Sequence, residues 1–348
     1  MVGSEKFAAA CQQYLPAGEV MESHWLGKDK AELQRERILV EKHGPDAVPV
    51  PESITHHVGS YQMLLVCYAP ISSHLLDFFP DLRIIGVARA GIENLDLAAA
   101  TTKNILVFNV TGRNAHAVSD FAVGLILAEL RNLARAHLAI MNGKWRKDFV
   151  SVPHQLYGKR VGILGLGKIG ALVARKLQGF EVHLVGFDPH FNSQRFNELG
   201  VECLTLAELM RTSDVITVHA RLSETTRQMV GKNEIQSMKP TAILVNTARA
   251  GLIDMGALCE ALANRRIAGA ALDVFDPEPL SPADPLLKLE NVTLTSHLAG
   301  TTVEAIDGTP YLLCENIRNF LVQKKSENIL NPEVLDSISS VGWEENLL

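Results

Sequence analysis

Apolar and polar positions change their spacing repeatedly along this chain, and each change marks an element. Met63, Leu64, Leu65, Val66 and Cys67 form an unbroken apolar run, the pattern of a strand covered on both faces. Leu75, Leu76, Phe78 and Phe79 follow on a helix. Residues 82–87 and 105–107 are two further runs, and this succession predicts a small parallel-sheet domain. Residues 114–145 carry the longest helical pattern. Phe121, Leu125, Leu127, Leu130, Leu133 and Ile140 give it more than one apolar stripe, as in helices buried between domains or subunits. It is read as the hinge into a second domain and a candidate dimer element, with a core helix inside one subunit as the plainer alternative.

From residue 161 the alternation resumes. Strands are expected at 161–164, 182–187, 215–218, 242–246, 269–274 and 292–295, with helices between them, which is a doubly wound α/β sheet. Residues 302–325 are again helical, with Tyr311, Leu312, Ile317, Phe320 and Leu321 apolar, and would return the chain to the first domain. Residues 31–44 read as a helix with Leu33, Ile38 and Leu39 as its apolar points. The three prolines of residues 45–54 read as a loop or edge segment, and residues after about 326 carry little pattern.

The chain is organised around residues 160–188. An apolar strand runs directly into Gly165-Leu166-Gly167-Lys168-Ile169-Gly170, then into an amphipathic helix and a second strand that ends at Asp188. The separation is 188 − 170 = 18 residues. Gly165 permits the tight turn, Gly167 lets backbone approach a pyrophosphate, and Gly170 lets helix and strand pack closely. The helix N-terminus presents free N–H groups and a positive dipole end to phosphates. A carboxylate at the second strand's end accepts from ribose hydroxyls and repels a 2′-phosphate, so Asp188 points to NAD rather than NADP.

Ligands of such sheets sit beyond the carboxyl ends of the strands. Asp188, His219, Asn246 with Arg249, Asp273 with Glu278, and His297 all fall there. Hydride transfer between an alcohol and a nicotinamide needs a proton acceptor for the hydroxyl, and histidine works in both directions near neutral pH. Glu278, paired to the far ring nitrogen, would favour imidazolium and fix the tautomer. Arg249 offers a planar fork to a carboxylate and polarises an adjacent carbonyl. Asp273 sits where it would meet the nicotinamide ribose or amide. Taken singly, each has a plain reading: a capped surface histidine, a surface ion-pair arginine, a loop carboxylate.

Composition narrows the partners. The 348 residues suit two domains, with 47% hydrophobic and 21% charged residues. A net charge of −6 and scattered basic residues give no support to nucleic-acid or anionic-membrane binding, and the short group Lys144, Arg146, Lys147 reads as a solvated turn. Cys11, Cys67, Cys203, Cys259 and Cys314 are odd in number and far apart, so neither a metal site nor a disulfide framework is indicated. No run of 18 apolar residues and no signal-peptide pattern is seen, and a reducing cytoplasm is the expected location.

These motifs, in this order, resemble the NAD-dependent D-isomer-specific 2-hydroxyacid dehydrogenase family, which includes phosphoglycerate dehydrogenases and glyoxylate/hydroxypyruvate reductases. The resemblance runs from about Met63 into the C-terminal helical region. It is carried by GLGKIG with FDP, VNTARAGLID, GAALDVFDPEPL and NVTLTSHLAG. It implies a discontinuous flavodoxin-like α/β substrate domain, residues 1–117 and 302–348, around a central NAD-binding Rossmann domain, residues 118–301. It implies Arg249, Glu278 and His297 as the catalytic trio, with His297 as acid/base. Lys168, Ile169, Asp188, Thr247, Ala248, Asp273 and Gly300 would contact NAD. The substrate, a small 2-hydroxy or 2-keto acid, would be held by Ala90, Gly91, Asn114 and Arg249, in a cleft expected to close over it. A homodimer through residues 118–140 is also implied.

The chain departs from the family's pattern in places. In RAGIENLD, Arg89 replaces the first glycine and Glu93 the aspartate of the substrate loop. Ser296 precedes His297 where proline is usual, and Arg221 stands where proline usually follows the strand, which would bring it near the pyrophosphate. Beyond Arg89 and Arg113 no basic cluster suited to a phosphorylated substrate is evident. The length leaves no room for the regulatory domains of long phosphoglycerate dehydrogenases, so serine feedback is not expected. Formate and phosphite dehydrogenases, and an NAD-sensing transcriptional corepressor, share this scaffold and stand as alternatives.

Overall fold

Strand β1 (Met63–Val66) pairs with β2 (Ile84–Val87), and β2 with β3 (Leu106–Asn109), all parallel. The computed structural model describes residues 3–15, 19–22, 30–49, 61–190, 193–323 and 328–338. They divide into two compact units, one of residues up to Arg113 with those from Thr302, the other Asn114–Thr301.

In the first unit β2 and β3 are buried along their whole length, which is why their sequences are unbroken apolar runs. Ile84, Leu106 and Phe108 pack on one face against Ala10 and Cys11 of helix Ser4–Tyr14 and against Leu313, Ile317 and Phe320 of helix Thr309–Gln323. Ile85, Val87 and Val107 pack on the other face against Leu75, Leu76 and Phe79. Helix Ser4–Tyr14 was not expected, because alanines and a cysteine bury a close helix contact without giving a strong apolar stripe. Residues beyond 326 also do more than their pattern promised. Asn331, fully buried, donates to the Ile105 carbonyl and Thr101 Oγ1 and accepts from the Val107 N–H. Ile38 and Leu39, expected as apolar anchors, are 41% and 44% exposed. Pro45–Ala47 is a 3-10 turn, and residues 50–54 of the proline-rich segment, like 324 and 325 at the end of the expected helix, lie outside the described residues. That C-terminal stretch is two helices, Val303–Asp307 and Thr309–Gln323, parted at Gly308.

The second unit is a seven-stranded parallel sheet. Its strands are β4 (Arg160–Leu164), β5 (His183–Phe187), β6 (Glu202–Cys203), β7 (Val215–Val218), β8 (Ile243–Asn246), β9 (Gly269–Leu272) and β10 (Val292–Leu294). Their order is β10-β9-β8-β7-β4-β5-β6. Side chains alternate strictly between two cores. Leu164, Ile216, Val218, Leu244 and Leu272 face helices Leu206–Thr212 and Met255–Ala263, while Val161, Ile163, Val215, Val245 and Ala271 face Ala115–Leu130 and Lys168–Gln178. Helices cover both faces, as expected of a doubly wound sheet. The winding reverses between β4 and β7, so the loops after these strands part there and leave a crevice.

The long helical pattern at 114–145 is broken. Helix Ala115–Leu130 ends at Arg131, Asn132 turns left-handed at φ 56°, and Leu133–Met141 starts a new helix. Asn132 is 1% exposed and donates to the Ser151 carbonyl. Asparagine tolerates this conformation, but periodicity alone does not show it. Among the described residues no helix is long and apolar enough to cross a membrane. Cys11 and Cys314 are buried, Cys67 and Cys259 half-buried, and Cys203 exposed.

Candidate active site

The glycine loop follows β4 at the reversal point. Gly165 has φ +89°, and a β-carbon there would lie 2.6 Å from the Ala220 backbone nitrogen. Gly170 packs so closely on the Gly165 carbonyl that no β-carbon fits. Gly167 is different: the protein leaves nothing within 4 Å of a β-carbon built on it. Helix Lys168–Gln178 starts immediately after, so its first N–H groups open toward that space. Asp188 lies just past β5. Its Oδ2 accepts from the Leu166 N–H at 2.8 Å and its Oδ1 from the His190 N–H at 3.0 Å. The carboxylate is therefore tied to the glycine loop with lone pairs to spare for hydroxyl donors.

Two buried polar atoms at neighbouring strand ends lack a partner. His219, after β7, shares Nε2 with Thr217 Oγ1 at 2.9 Å, while its Nδ1 is buried and unpaired. Burial pushes this imidazole down to about 4, so it is neutral at physiological pH. Thr247, after β8, is 7% exposed, and its hydroxyl is likewise unpaired. Unpaired buried polar groups are costly. These two, with the open space at Gly167 and the carboxylate of Asp188, form a donor and acceptor set that fits a dinucleotide. Lys168 is exposed and Ile169 half-buried in the first helical turn, and Arg221 is exposed, its carbonyl accepting from Thr226 Oγ1 at 2.6 Å. Asn114 immediately precedes helix Ala115–Leu130 without a side-chain capping bond, and lies against Gly300, where an added β-carbon would strike its amide.

Asn246, fully buried at the end of β8, orients the next residues. Its Oδ1 accepts from the Ala248 N–H and its Nδ2 donates to the Arg249 carbonyl, both at 2.9 Å. Arg249 is exposed, with Nη1 donating to the Ala248 carbonyl. His297 Nδ1 lies 2.8 Å from Glu278 Oε2, and Glu278 Oε1 accepts from the Phe275 N–H at 3.0 Å. Burial pushes the Glu278 carboxyl up. The hydrogen bonds from His297 and Phe275 and the charges of His297 and Arg249 outweigh this and hold it below its usual range. The side chains of His297 and Glu278 are 48% and 37% exposed. A pair so open to water contributes about 0–1 kcal/mol to stability, so folding does not account for it.

His297 is left-handed at φ 56°, which costs a non-glycine residue on the order of 1–3 kcal/mol. Asp273, fully buried after β9, holds this turn. Its Oδ1 accepts from Thr295 Oγ1 at 2.6 Å and from the Leu298 N–H at 2.9 Å, and its Oδ2 from the Ala299 N–H at 2.9 Å. Three of its roughly four lone-pair sites are thus taken, which leaves little of it for the nicotinamide contact expected from the sequence. Sequence reasoning missed these supports. The threonine two residues before His297 is the one signal that hints at them.

In the first unit, Arg89 pairs with Glu93 at 3.1 Å and lies 4.7 Å over the Tyr68 ring, while the Ala90 carbonyl accepts from Asn109 Nδ2 at 2.8 Å. The Glu93 carboxylate folds back against Gly91. The two departures from the family's loop thus neutralise each other. Arg113 donates to the Ala305 carbonyl.

Residues 123–299 match the family model for the D-isomer specific 2-hydroxyacid dehydrogenase NAD-binding domain. A glyoxylate reductase of Korarchaeum cryptofilum is 38% identical over 269 residues, 76% of this chain and 81% of the relative. A D-3-phosphoglycerate dehydrogenase of Archaeoglobus fulgidus is 36% identical over 282 residues, 80% of this chain, which spans only 53% of that relative. Among solved structures, the apo D-mandelate dehydrogenase of Rhodotorula graminis superposes with a TM-score of 0.69 at 28% identity, covering 80% of this chain and 86% of that one.

Proposed function

The chain belongs to the D-isomer specific 2-hydroxyacid dehydrogenase family, a family of NAD-dependent oxidoreductases, and carries its NAD-binding domain; on that footing we propose that it interconverts a D-2-hydroxy acid and its 2-keto acid. The observation that carries the reading is the His297–Glu278 pair at 2.8 Å, exposed, of little value to folding, and with His297 in a left-handed turn. NAD(H), held by the glycine loop, the first turn of helix Lys168–Gln178, Asp188 and the Thr247 hydroxyl, supplies the hydride exchange when bound.

The chain's own residues handle the proton and the substrate charge. Glu278 accepts from Nδ1–H of His297, which fixes the tautomer and leaves Nε2 for the substrate oxygen. In reduction, Nε2–H gives its proton to the forming alkoxide; in oxidation, Nε2 takes the hydroxyl proton. Arg249, exposed and steered by Asn246, binds the substrate carboxylate through its fork. Asn114, beside Gly300, is the further candidate for a substrate contact on this unit. The carboxylate role of Ala90 and Gly91 stays as the resemblance implies it.

The chain also works as a homodimer in this reading. Helix Leu133–Met141 buries none of its residues in the monomer, and Leu133, Leu138, Ile140 and Met141 are 54%, 62%, 52% and 71% exposed. An apolar face of this kind asks for a partner surface.

NADH oxidation against glyoxylate, hydroxypyruvate, 3-phosphohydroxypyruvate, pyruvate and longer keto acids, run beside NADPH, tests the activity. Turnover with one acid and NADH, lost by orders of magnitude in His297→Gln with NADH binding kept, is the expected result. Unchanged turnover in that variant removes His297 from the chemistry, and activity mainly with NADPH removes Asp188 as selector.

A further inference from the structure

The reacting histidine stands on a turn that its own residues do not stabilise. His297 carries a β-carbon in a left-handed conformation and has Ser296 and Leu298 as neighbours, none of them glycine. Its ring is exposed, so packing does not hold it either. What does hold it is a single buried carboxylate one strand away. Asp273 accepts from Thr295 before His297 and from Leu298 and Ala299 after it. A fully buried carboxylate is expensive unless its oxygens are satisfied, and here each donor comes from the segment that carries His297.

We propose that Asp273 is a positioning residue: by clamping Thr295, Leu298 and Ala299 from below, it holds His297 in the left-handed turn that sets Nδ1 on Glu278 and turns Nε2 to the substrate. The inference rests on the reading of His297 as the proton donor and acceptor. Asp273 touches neither the transferred proton nor the ring. Two oxygens bind three donors that bracket His297, so the turn has one arrangement rather than several, and the 2.8 Å contact to Glu278 is pre-formed.

Asp273→Asn is the test, made in the full chain. An amide offers an N–H where one carboxylate oxygen stood. Facing Ala299 it meets one N–H; facing the other way it meets Leu298 and Thr295, so the Ala299 tether is the one given up. At saturating NADH, kcat falls roughly 10- to 100-fold, as expected for one lost charge-assisted hydrogen bond plus a donor facing a donor, while the KM for the keto acid changes little. The ring-nitrogen resonances of His297 in the cofactor-free protein, identified by their absence in His297→Gln, shift as the Glu278 contact is loosened; a residue that only braced the fold would leave them in place. Thr295→Val removes one donor and keeps the carboxylate, moving kcat and the resonances in the same direction by less. It carries the test if Asp273→Asn does not fold.

Wild-type kcat and unmoved His297 resonances in both variants, with His297→Gln inactive, overturn the positioning role and leave the reading of His297 intact. A loss confined to the NADH Kd, with kcat at saturation and the resonances unchanged, also overturns it and makes Asp273 a cofactor ligand alone. Full activity in His297→Gln overturns the underlying reading, and the proposal with it.

Discussion

In a Gly167→Ala variant the added methyl meets no protein atom within 4 Å. The backbone at Gly167 has φ −61° and ψ −163°, which alanine adopts freely. Two small effects on stability then oppose each other. Restricting the unfolded chain stabilises by about 0.4–1 kcal/mol, and placing alanine rather than glycine at a helix N-cap costs a similar amount. The net change is below about 1 kcal/mol, so Tm moves by no more than roughly 2–4 °C for a unit of this size. Binding responds differently. The methyl fills the space through which a phosphate would reach the first N–H groups of helix Lys168–Gln178. Losing one charge-assisted hydrogen bond there costs about 1.5–3 kcal/mol, which weakens NADH roughly 10- to 150-fold. Gly170→Ala is the contrasting variant. Its methyl overlaps the Gly165 carbonyl, which is backbone and cannot swing away; strain of this kind costs typically about 1–3 kcal/mol, so Tm and affinity fall together. NADH titration by fluorescence and thermal unfolding of both variants check the argument. If Gly167→Ala binds NADH like the wild type, or unfolds as early as Gly170→Ala, the assignment of that space to the cofactor is refuted.

Two carboxylates, Glu278 exposed and Glu129 buried, give opposite pH signs. Glu278 is held below its ordinary value, so what it contributes is present above the unfolded value and lost as pH falls through the lowered folded value. The acid limb of kcat lies below 4.5, the ordinary value of a glutamate, and Glu278→Gln removes that limb and lowers kcat at every pH, as read from pH–rate profiles. Glu129 is 1% exposed, and burial, opposed by the charge of Arg135 and by bonds from Thr293 and Arg135, leaves its carboxyl above its ordinary value. Its folded form binds the proton more tightly, so stability falls as pH rises from the unfolded value through the raised folded one; urea unfolding across that window shows a decline that Glu129→Gln abolishes. Glu129→Ala leaves Arg135 Nη2, now 2.6 Å from the carboxylate, and Thr293 Oγ1 without their acceptor, and costs about 3–5 kcal/mol in the same urea titration.

The sequence by itself determined the layered α/β architecture, because strands buried on both faces must be apolar without a break and helices covering them must carry a stripe. It also determined the dinucleotide signature, because a strand, three spaced glycines, a helix and a terminal acid are contiguous, and Gly165 and Gly170 answer local steric demands while Gly167 leaves open space. Even the placement of Arg249, Glu278 and His297 at strand ends was legible, since strand polarity dictates which end each loop leaves. Tertiary structure decided what depends on partners far along the chain. Asn132 breaks one apparent helix into two because its amide finds the Ser151 carbonyl, and periodicity is blind to that bond. Asn331 is held through Thr101, Ile105 and Val107, more than 220 positions earlier. The strand-end place of Asp273 was legible, but not that its carboxylate accepts from Thr295, Leu298 and Ala299. A residue type announces which hydrogen bonds it can make; which donors reach it is settled only when two distant strand ends are brought side by side.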